Sequence, residues 1–220
     1  NWTSGATATF GNGGTGGAVT LASPTTVASL TFNSYITTGY TLGTAGQTIT
    51  LNNGITKNAG GVAATIISPI TLGGAQTWTN NSSNTLNTTG TVNLGANTLT
   101  FGGTGNFSFA VTGTSTISGT GGSIIKNGAG LLTLSAGGTA QNHTYTGTTT
   151  INGGTLKFAN TADLAGISSS NININNGAGR HAGGKARHGK LRCAACGWCF
   201  NQHRLAAAHL GGQKVRQALF

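Results

Sequence analysis

Residues 126–158 have the sequence KNGAGLLTLSAGGTAQNHTYTGTTTINGGTLKF, and this stretch decides the predicted fold. Within short runs, large residues occupy every second position, with small polar residues or Lys between them and glycine-rich turns around them. This two-residue period is that of a β-strand with one buried face. The large residues are Leu132, Leu134, Tyr145, Ile151, Leu156 and Phe158. The stretch therefore predicts short strands joined by tight turns.

The same alternation continues on both sides of this stretch, and each run ends in Gly, Asn or Pro. Pro24 and Pro69 are expected at strand edges or turns, because proline cannot donate a hydrogen bond to a strand ladder. We predict that the large residues of these runs point inward. They are Val19, Leu21, Val27, Leu30, Phe32, Leu42, Ile49, Leu51, Ile66, Ile70, Leu72, Trp78, Phe107, Phe109, Val111, Ile117, Ile172 and Ile174.

Two segments are visibly similar: Thr91–Phe101, TVNLGANTLTF, and Thr150–Phe158, TINGGTLKF. Repeats of about 20 residues cannot bury a face alone and must stack on one another. We therefore predict an all-β, right-handed parallel β-helix, a solenoid of roughly nine turns with strands about 4.8 Å apart. A two-sheet sandwich is the main alternative, because short strands at intervals of about 8–12 residues also fit it. The recurrent TLxF unit favours the solenoid.

Charge divides the chain into a nearly neutral body, residues 1–179, and a basic tail, residues 180–220. Eleven Lys and Arg oppose one acidic residue, giving a net charge of +10. The body holds only Lys57, Lys126 and Lys157 of these cations, so eight lie in the tail with all three cysteines. Such a body is not expected to bind nucleic acid. Its lack of cysteine fits an exported protein.

The body offers little for catalysis. Glycoside cleavage by the usual route needs two carboxylates, and an acidic Ca²⁺ site needs several. We interpret His143 as a solvated side chain in a Thr-rich turn, and the glycine clusters as turns without the Lys and Ser or Thr of a phosphate loop. Trp2, Trp78, Tyr35 and Tyr40 are expected to fill the core rather than stack on sugars. We predict no catalytic residue and no enzyme activity.

The order Gly128, Gly130, Leu132, Leu134, His143, Tyr145, Gly147, Asn152, Gly153, Gly154, Leu156 resembles the autotransporter-associated β-strand repeat of bacterial surface proteins. The resemblance implies a passenger β-helix that is secreted or displayed at the outer-membrane surface. It implies a structural or adhesive role toward an unknown surface ligand, a glycan or a host or cell-surface protein, and it carries over no catalytic residue. Because the chain shows no initiating Met, signal peptide or membrane-spanning hydrophobic run, we expect a fragment of a longer protein.

The tail supports a competing hypothesis, a zinc-linked module that binds nucleic acid. Cys193, Cys196, Cys199 and His203, with His209 in reserve, could supply the four ligands that Zn²⁺ prefers, and the nearby cations could contact phosphates. The spacing argues against it, because structural zinc sites usually draw two ligand pairs from separate parts of a fold. We favour a tail that is disordered, irregular or briefly helical, as an out-of-frame reading of a GC-rich gene would produce.

A further alternative is a Thr-rich solenoid that binds carbohydrate or ice through a regular face of threonines. The best candidates by sequence are Thr148, Thr149 and Thr150, together with Thr112, Thr114 and Thr116. Their spacing is not regular from turn to turn, which makes this hypothesis a minor one.

Overall fold

The computed structural model of the chain describes residues 3–11, 15–34, 38–60, 62–109, 116–134, 143–158, 172–175, 190–193 and 199–200. These ranges contain strands and turns and no helix. In chain order the strands are β1 (Ala8–Phe10), β2 (Gly17–Val19), β3 (Thr25–Phe32), β4 (Tyr40–Leu42), β5 (Ile49–Lys57), β6 (Ala64–Ile66), β7 (Ile70–Leu72), β8 (Gln76–Asn80), β9 (Leu86–Thr88), β10 (Val92–Asn93), β11 (Thr98–Gly102), β12 (Phe107–Phe109), β13 (Ile117–Gly119), β14 (Ser123–Lys126), β15 (Leu131–Leu134), β16 (Thr144–Tyr145), β17 (Thr149–Ile151), β18 (Thr155–Phe158), β19 (Ile172–Ile174), β20 (Lys190–Cys193) and β21 (Cys199–Phe200).

The strands form three faces that the chain visits in turn. The first face contains β7, β10, β13 and β16, and the second contains β1, β8, β11, β14, β17 and β19. The long strands β3 and β5 belong to both, since their first halves pair on the first face and their second halves on the second. The third face is a separate sheet with the order β2, β4, β6, β9, β12, β15, β18, β20, β21. The predicted parallel β-solenoid is confirmed.

Successive turns stack in a steady register. On the second face, Leu30 pairs with Ala8 and with Ile55, Trp78 with Ile55 and Phe101, and Lys126 with Phe101 and Ile151. These pairings join positions 22 to 25 residues apart. The solenoid has about six turns, whereas the sequence predicts roughly nine. Part of the difference arises because each turn is longer than the predicted repeat of about 20 residues.

The core is a single hydrophobic column enclosed by the three faces. Trp78 and Phe109 stack across it with ring centroids 5.9 Å apart, and Phe10 and Phe32 stack at 5.0 Å. Most of the predicted inward residues are buried; Val19, Leu21, Ile172 and Ile174 are partly buried against the core. Val111 lies outside the described residues, as does the side chain of Phe158. The alternation of large and small polar residues therefore identified the buried side of the strands correctly.

The TLxF units do not stack on one another. Leu99 and Phe101 belong to β11 on the second face, whereas Leu156 belongs to β18 on the third. Leu156 instead pairs with Leu132 of β15, and Leu99 pairs with Ile124 of β14. The similarity is thus between two strand–corner–strand units that are offset by one face, and it does not mark the period of the solenoid.

Glycines shape the corner between the second and third faces. A Cβ on Gly128 would lie 2.1 Å from the carbonyl oxygen of Gly103, and one on Gly130 would lie 2.1 Å from that of Gly105. The two corners therefore approach more closely than any other residue allows at these positions. Gly154, with φ of +67°, continues the stack on the next turn.

Two strands lie in the basic tail, for which the composition predicts irregular or briefly helical structure. Strand β20 pairs in parallel with β18, and β21 pairs antiparallel with β20. The described residues of the tail thus extend the third face. The remainder of the tail, including the segment predicted as a short helix, lies outside the described residues.

Candidate functional surface

The outward positions of the first face form a column of small polar side chains. Because side chains alternate across a strand, residues between two buried neighbours point outward. The registered positions are Thr26, Thr50, Thr71, Asn93, Ser118 and Thr144. Each is exposed or partly exposed. The column carries no charge, so its members do not repel one another from turn to turn.

The third face repeats this arrangement with a different ending. After Ala18 of β2, its outward column contains Thr41, Thr65, Asn87, Ser108 and Thr133 in register and then reaches Lys157. Within the described residues before β20, Lys157 is the one charged member of this column. Before Lys157, the outward columns of the first and third faces therefore carry only neutral side chains.

Asparagines form a hydrogen-bonded ladder at the edge of the second face. Nδ2 of Asn152 donates to Oδ1 of Asn127 at 2.7 Å, and Nδ2 of Asn175 donates to Oδ1 of Asn152 at 2.8 Å. A separate pair joins Asn58 to Asn33 at 2.7 Å. Stacked amides of this kind tie consecutive turns together without any charge.

Two lysines occupy inward positions, where the sequence predicts apolar residues. Lys57 and Lys126 are both fully buried, and burial lowers the pKa of each from 10.5 to about 8. The ammonium of Lys126 donates to the carbonyl oxygens of Gly128 and Gly153, the latter at 3.5 Å. Among the described residues, Nζ of Lys57 has no hydrogen-bond partner. The alternation signal could have found both, since each lies two residues after a buried isoleucine.

His143 is buried, and the prediction of a solvated side chain was wrong. It stands next to Ile117 in the inward column, because Thr144 pairs with Ser118. The backbone N–H of Ile117 donates to Nδ1 at 3.0 Å, which places the imidazole proton on Nε2. Burial lowers the pKa of His143 to about 4. Since His143 and Tyr145 flank an exposed threonine, strand alternation is the signal that could have identified it as inward.

This environment makes His143 a poor general base for any external substrate. Its Nδ1 is occupied by the backbone, and its Nε2 faces the core with no partner in the described part of the chain. A catalytic base needs access to the proton that it abstracts. The hydrogen bond of His143 to the Ile117 N–H instead ties two neighbouring turns together.

The aromatic residues expected in the core and the threonines proposed for a binding face are found only in part among the described residues. Trp78 is fully buried, as predicted, and Tyr40 is partly buried against Phe10. Trp2, Tyr35, Thr112 and Thr114 lie outside the described residues. Thr148 and Thr150 face outward, but Thr149 is buried and hydrogen bonded to Tyr145. Three successive threonines therefore cannot form one binding face.

The zinc hypothesis concerns residues that are only partly described. Cys193 ends β20 and Cys199 begins β21, whereas Cys196, His203 and His209 lie outside the described residues. Within the described ranges, no group of three or more His, Cys, Asp or Glu could hold a metal ion. The four-ligand zinc site remains a prediction.

The stacked turns, the apolar core and the neutral outer columns define a parallel β-solenoid repeat protein. Residues 124–158 match the Passenger-associated-transport-repeat family, which confirms the resemblance to autotransporter passenger repeats seen in the sequence. The matched segment runs from β14 to β18, so it covers more than one full turn and contains the stacked pairs β14–β17 and β15–β18. No curated protein and no solved structure matches the chain. Among the described residues, no helix is long and apolar enough to cross a membrane.

Proposed function

We propose that the chain is a non-catalytic passenger scaffold, secreted or displayed at a bacterial cell surface, that holds polar columns in place for adhesive contact. The observation that carries this proposal is the match of residues 124–158 to a passenger transport repeat that is built into a continuous solenoid.

A fold built from local units would suit a chain that is exported before it folds. In a solenoid each turn contacts only its neighbours, so folding can spread from one turn to the next. The offset of 22 to 25 residues between paired positions gives this chain such an order. Its neutral outer columns also avoid like-charge repulsion during stacking.

Export can be tested by placing the whole chain between an export signal and an autotransporter translocation unit in a Gram-negative host. We expect the chain to reach the surface, to be labelled by antibody on intact cells and to resist added protease. Gly130→Ala should reduce this folded surface population, because its Cβ would meet the Gly105 carbonyl, whereas Gly74→Ala should not. A chain retained in the periplasm, with or without the substitution, would contradict the proposal.

Adhesion can be tested on the same cells by measuring attachment to glycan-coated surfaces and to cultured host cells. We expect attachment above that of cells that display the translocation unit alone. Equal attachment by both strains would leave a structural stalk as the function and would refute the adhesive role.

A further inference from the structure

The second face carries two neighbouring outward columns that are built almost entirely of hydroxyl groups. One column contains Thr7, Ser29, Gly54, Thr77 and Thr100 in register; the other contains Thr9, Thr31, Thr56, Thr79 and Gly102. Eight of these ten positions carry a hydroxyl. We call this set the hydroxyl array. It spans five consecutive strands, β1, β3, β5, β8 and β11.

The array is regular in two directions. Along each strand the two columns are separated by two residues, about 6.7 Å, and along the solenoid axis successive strands are about 4.8 Å apart. The parallel register from Thr9 through Thr31 and Thr56 to Thr79 shows no slip between columns. Ladders of matching side chains also keep a sheet flat. The result is a grid of hydroxyl and methyl groups with a regular register.

The gap at Gly54 is imposed by the backbone. A Cβ at this position would lie 2.2 Å from the Thr77 carbonyl oxygen, and its φ of +118° disfavours other residues. Position 54 therefore requires glycine, and the array lacks a hydroxyl there.

The chemistry of the grid limits what it can bind. It contains no charged side chain, so nothing selects an ionic ligand. The aromatic rings of the same strands, Phe10, Phe32, Trp78 and Phe101, are all buried, so no ring is available to stack on a sugar. What remains is a neutral lattice of hydroxyls with spacings close to those of oxygen atoms in planes of hexagonal ice.

We propose that the hydroxyl array binds ice. The threonine hydroxyls and methyl groups of β1, β3, β5, β8 and β11 would order water into a layer that matches the crystal and merges with it. Binding would require only the rigid grid, so it adds a surface function to the scaffold and does not depend on the route of export.

The test uses the purified full chain, labelled with a fluorophore at its N-terminus, in two assays: partition into a slowly growing ice hemisphere and inhibition of ice recrystallisation. Thr77→Lys places a long charged side chain within the array, between Gly54 and Thr100. Thr41→Lys is the matched control, since Thr41 is also an exposed threonine in the middle of a strand, but on the third face. Thermal unfolding of both variants verifies that the fold persists.

We expect the unsubstituted chain and Thr41→Lys to enter the ice and to suppress recrystallisation, and Thr77→Lys to lose most of both effects while it unfolds at an unchanged temperature. Exclusion of the unsubstituted chain from ice, equal effects of the two substitutions, or binding to crystalline cellulose in place of ice would each overturn the inference. A chain that reaches the cell surface but does not bind ice would overturn this inference and leave the proposed passenger function unaffected.

Discussion

The hydroxyls of Tyr145 and Thr149 lie 2.7 Å apart inside the core and join two faces of the same turn. Tyr145 ends β16 on the first face, and Thr149 begins β17 on the second. Both side chains are buried, and burial raises the pKa of Tyr145 to about 12. A hydrogen bond in such surroundings fixes the corner between the two strands, within the segment that matches the passenger repeat.

Removing either hydroxyl should destabilise the chain by about 0.5–1.5 kcal/mol, because the hydrogen bond between the two groups is lost inside the core. The substitutions are Tyr145→Phe and Thr149→Val, measured by urea unfolding. The double variant should lose clearly less than the two single losses combined, since neither hydroxyl then remains. Simple additivity would show that the two groups do not interact.

The glycine corners should be intolerant of even one methyl group. Gly130→Ala brings a Cβ to 2.1 Å from the Gly105 carbonyl, so the stacked corners must separate. We expect a loss of about 1–3 kcal/mol, as for other overpacked sites. Gly74→Ala is the matched control, because its nearest heavy atom would be 3.8 Å away. Equal urea midpoints for the two variants would refute the close approach of the corners.

The class of fold could be predicted from the sequence, because a solenoid repeats the same local solution many times. Alternation at Leu132, Leu134 and Leu156 was sufficient to identify buried strands, and the repeat indicated stacking. The register could not be predicted this way. The TLxF units are alike because both cross a corner, so their similarity does not reveal which face each occupies.

Acid should destabilise the fold through His143. Its pKa is about 4 in the folded chain against 6.5 for a free histidine, so the unfolded state binds the proton first as the pH falls. The stability that the neutral form of His143 gives the folded chain is fully present above pH 6.5. It is lost as the pH falls from 6.5 to 4, and protonation of His143 changes the stability no further below pH 4. The loss attributable to this group is about 3 kcal/mol. Urea unfolding across this window measures it.

His143→Leu provides the control for this pH dependence. Leucine cannot titrate, so this variant should show a flatter dependence of the free energy of unfolding on pH between 6.5 and 4. Its stability at pH 7 should be lower, because the Ile117 N–H loses its acceptor. A variant with the same slope as the unsubstituted chain would show that other groups cause the acid sensitivity.

Lys57 should be a destabilising residue at neutral pH. Its folded pKa of about 8 lies below the free value of 10.5, so stability rises between pH 8 and 10.5 and the full penalty applies below pH 8. Lys57→Met keeps a long side chain without the charge and should raise stability at pH 7 by about 1–3 kcal/mol. Calorimetry at pH 7 measures the difference.

Lys126→Met is the matched comparison, because Lys126 has the same shifted pKa but donates to the carbonyls of Gly128 and Gly153. Its replacement removes this donor from both oxygens, so the gain in stability should be smaller than for Lys57→Met, or become a loss. A larger gain at position 126 would contradict the assigned contacts.

These inward polar residues show where prediction from residue type fails. His143 was assigned to the surface because polar side chains usually lie there, and neither Lys57 nor Lys126 was predicted to be buried. Their position in the alternation pattern pointed inward and was correct. In a solenoid the stacking of neighbouring turns determines which side of the strand a residue occupies. A backbone carbonyl or N–H then serves Lys126 and His143 as a partner, whereas Nζ of Lys57 is buried without one among the described residues.

The most direct test of the stacked solenoid is the pattern of NOEs between backbone protons of neighbouring strands in the full chain. We expect contacts between Ile125 and Thr150 and between Thr133 and Lys157, residues that belong to successive turns. Contacts that instead join β14 to β15 in antiparallel order, as in a hairpin of a two-sheet sandwich, would contradict it.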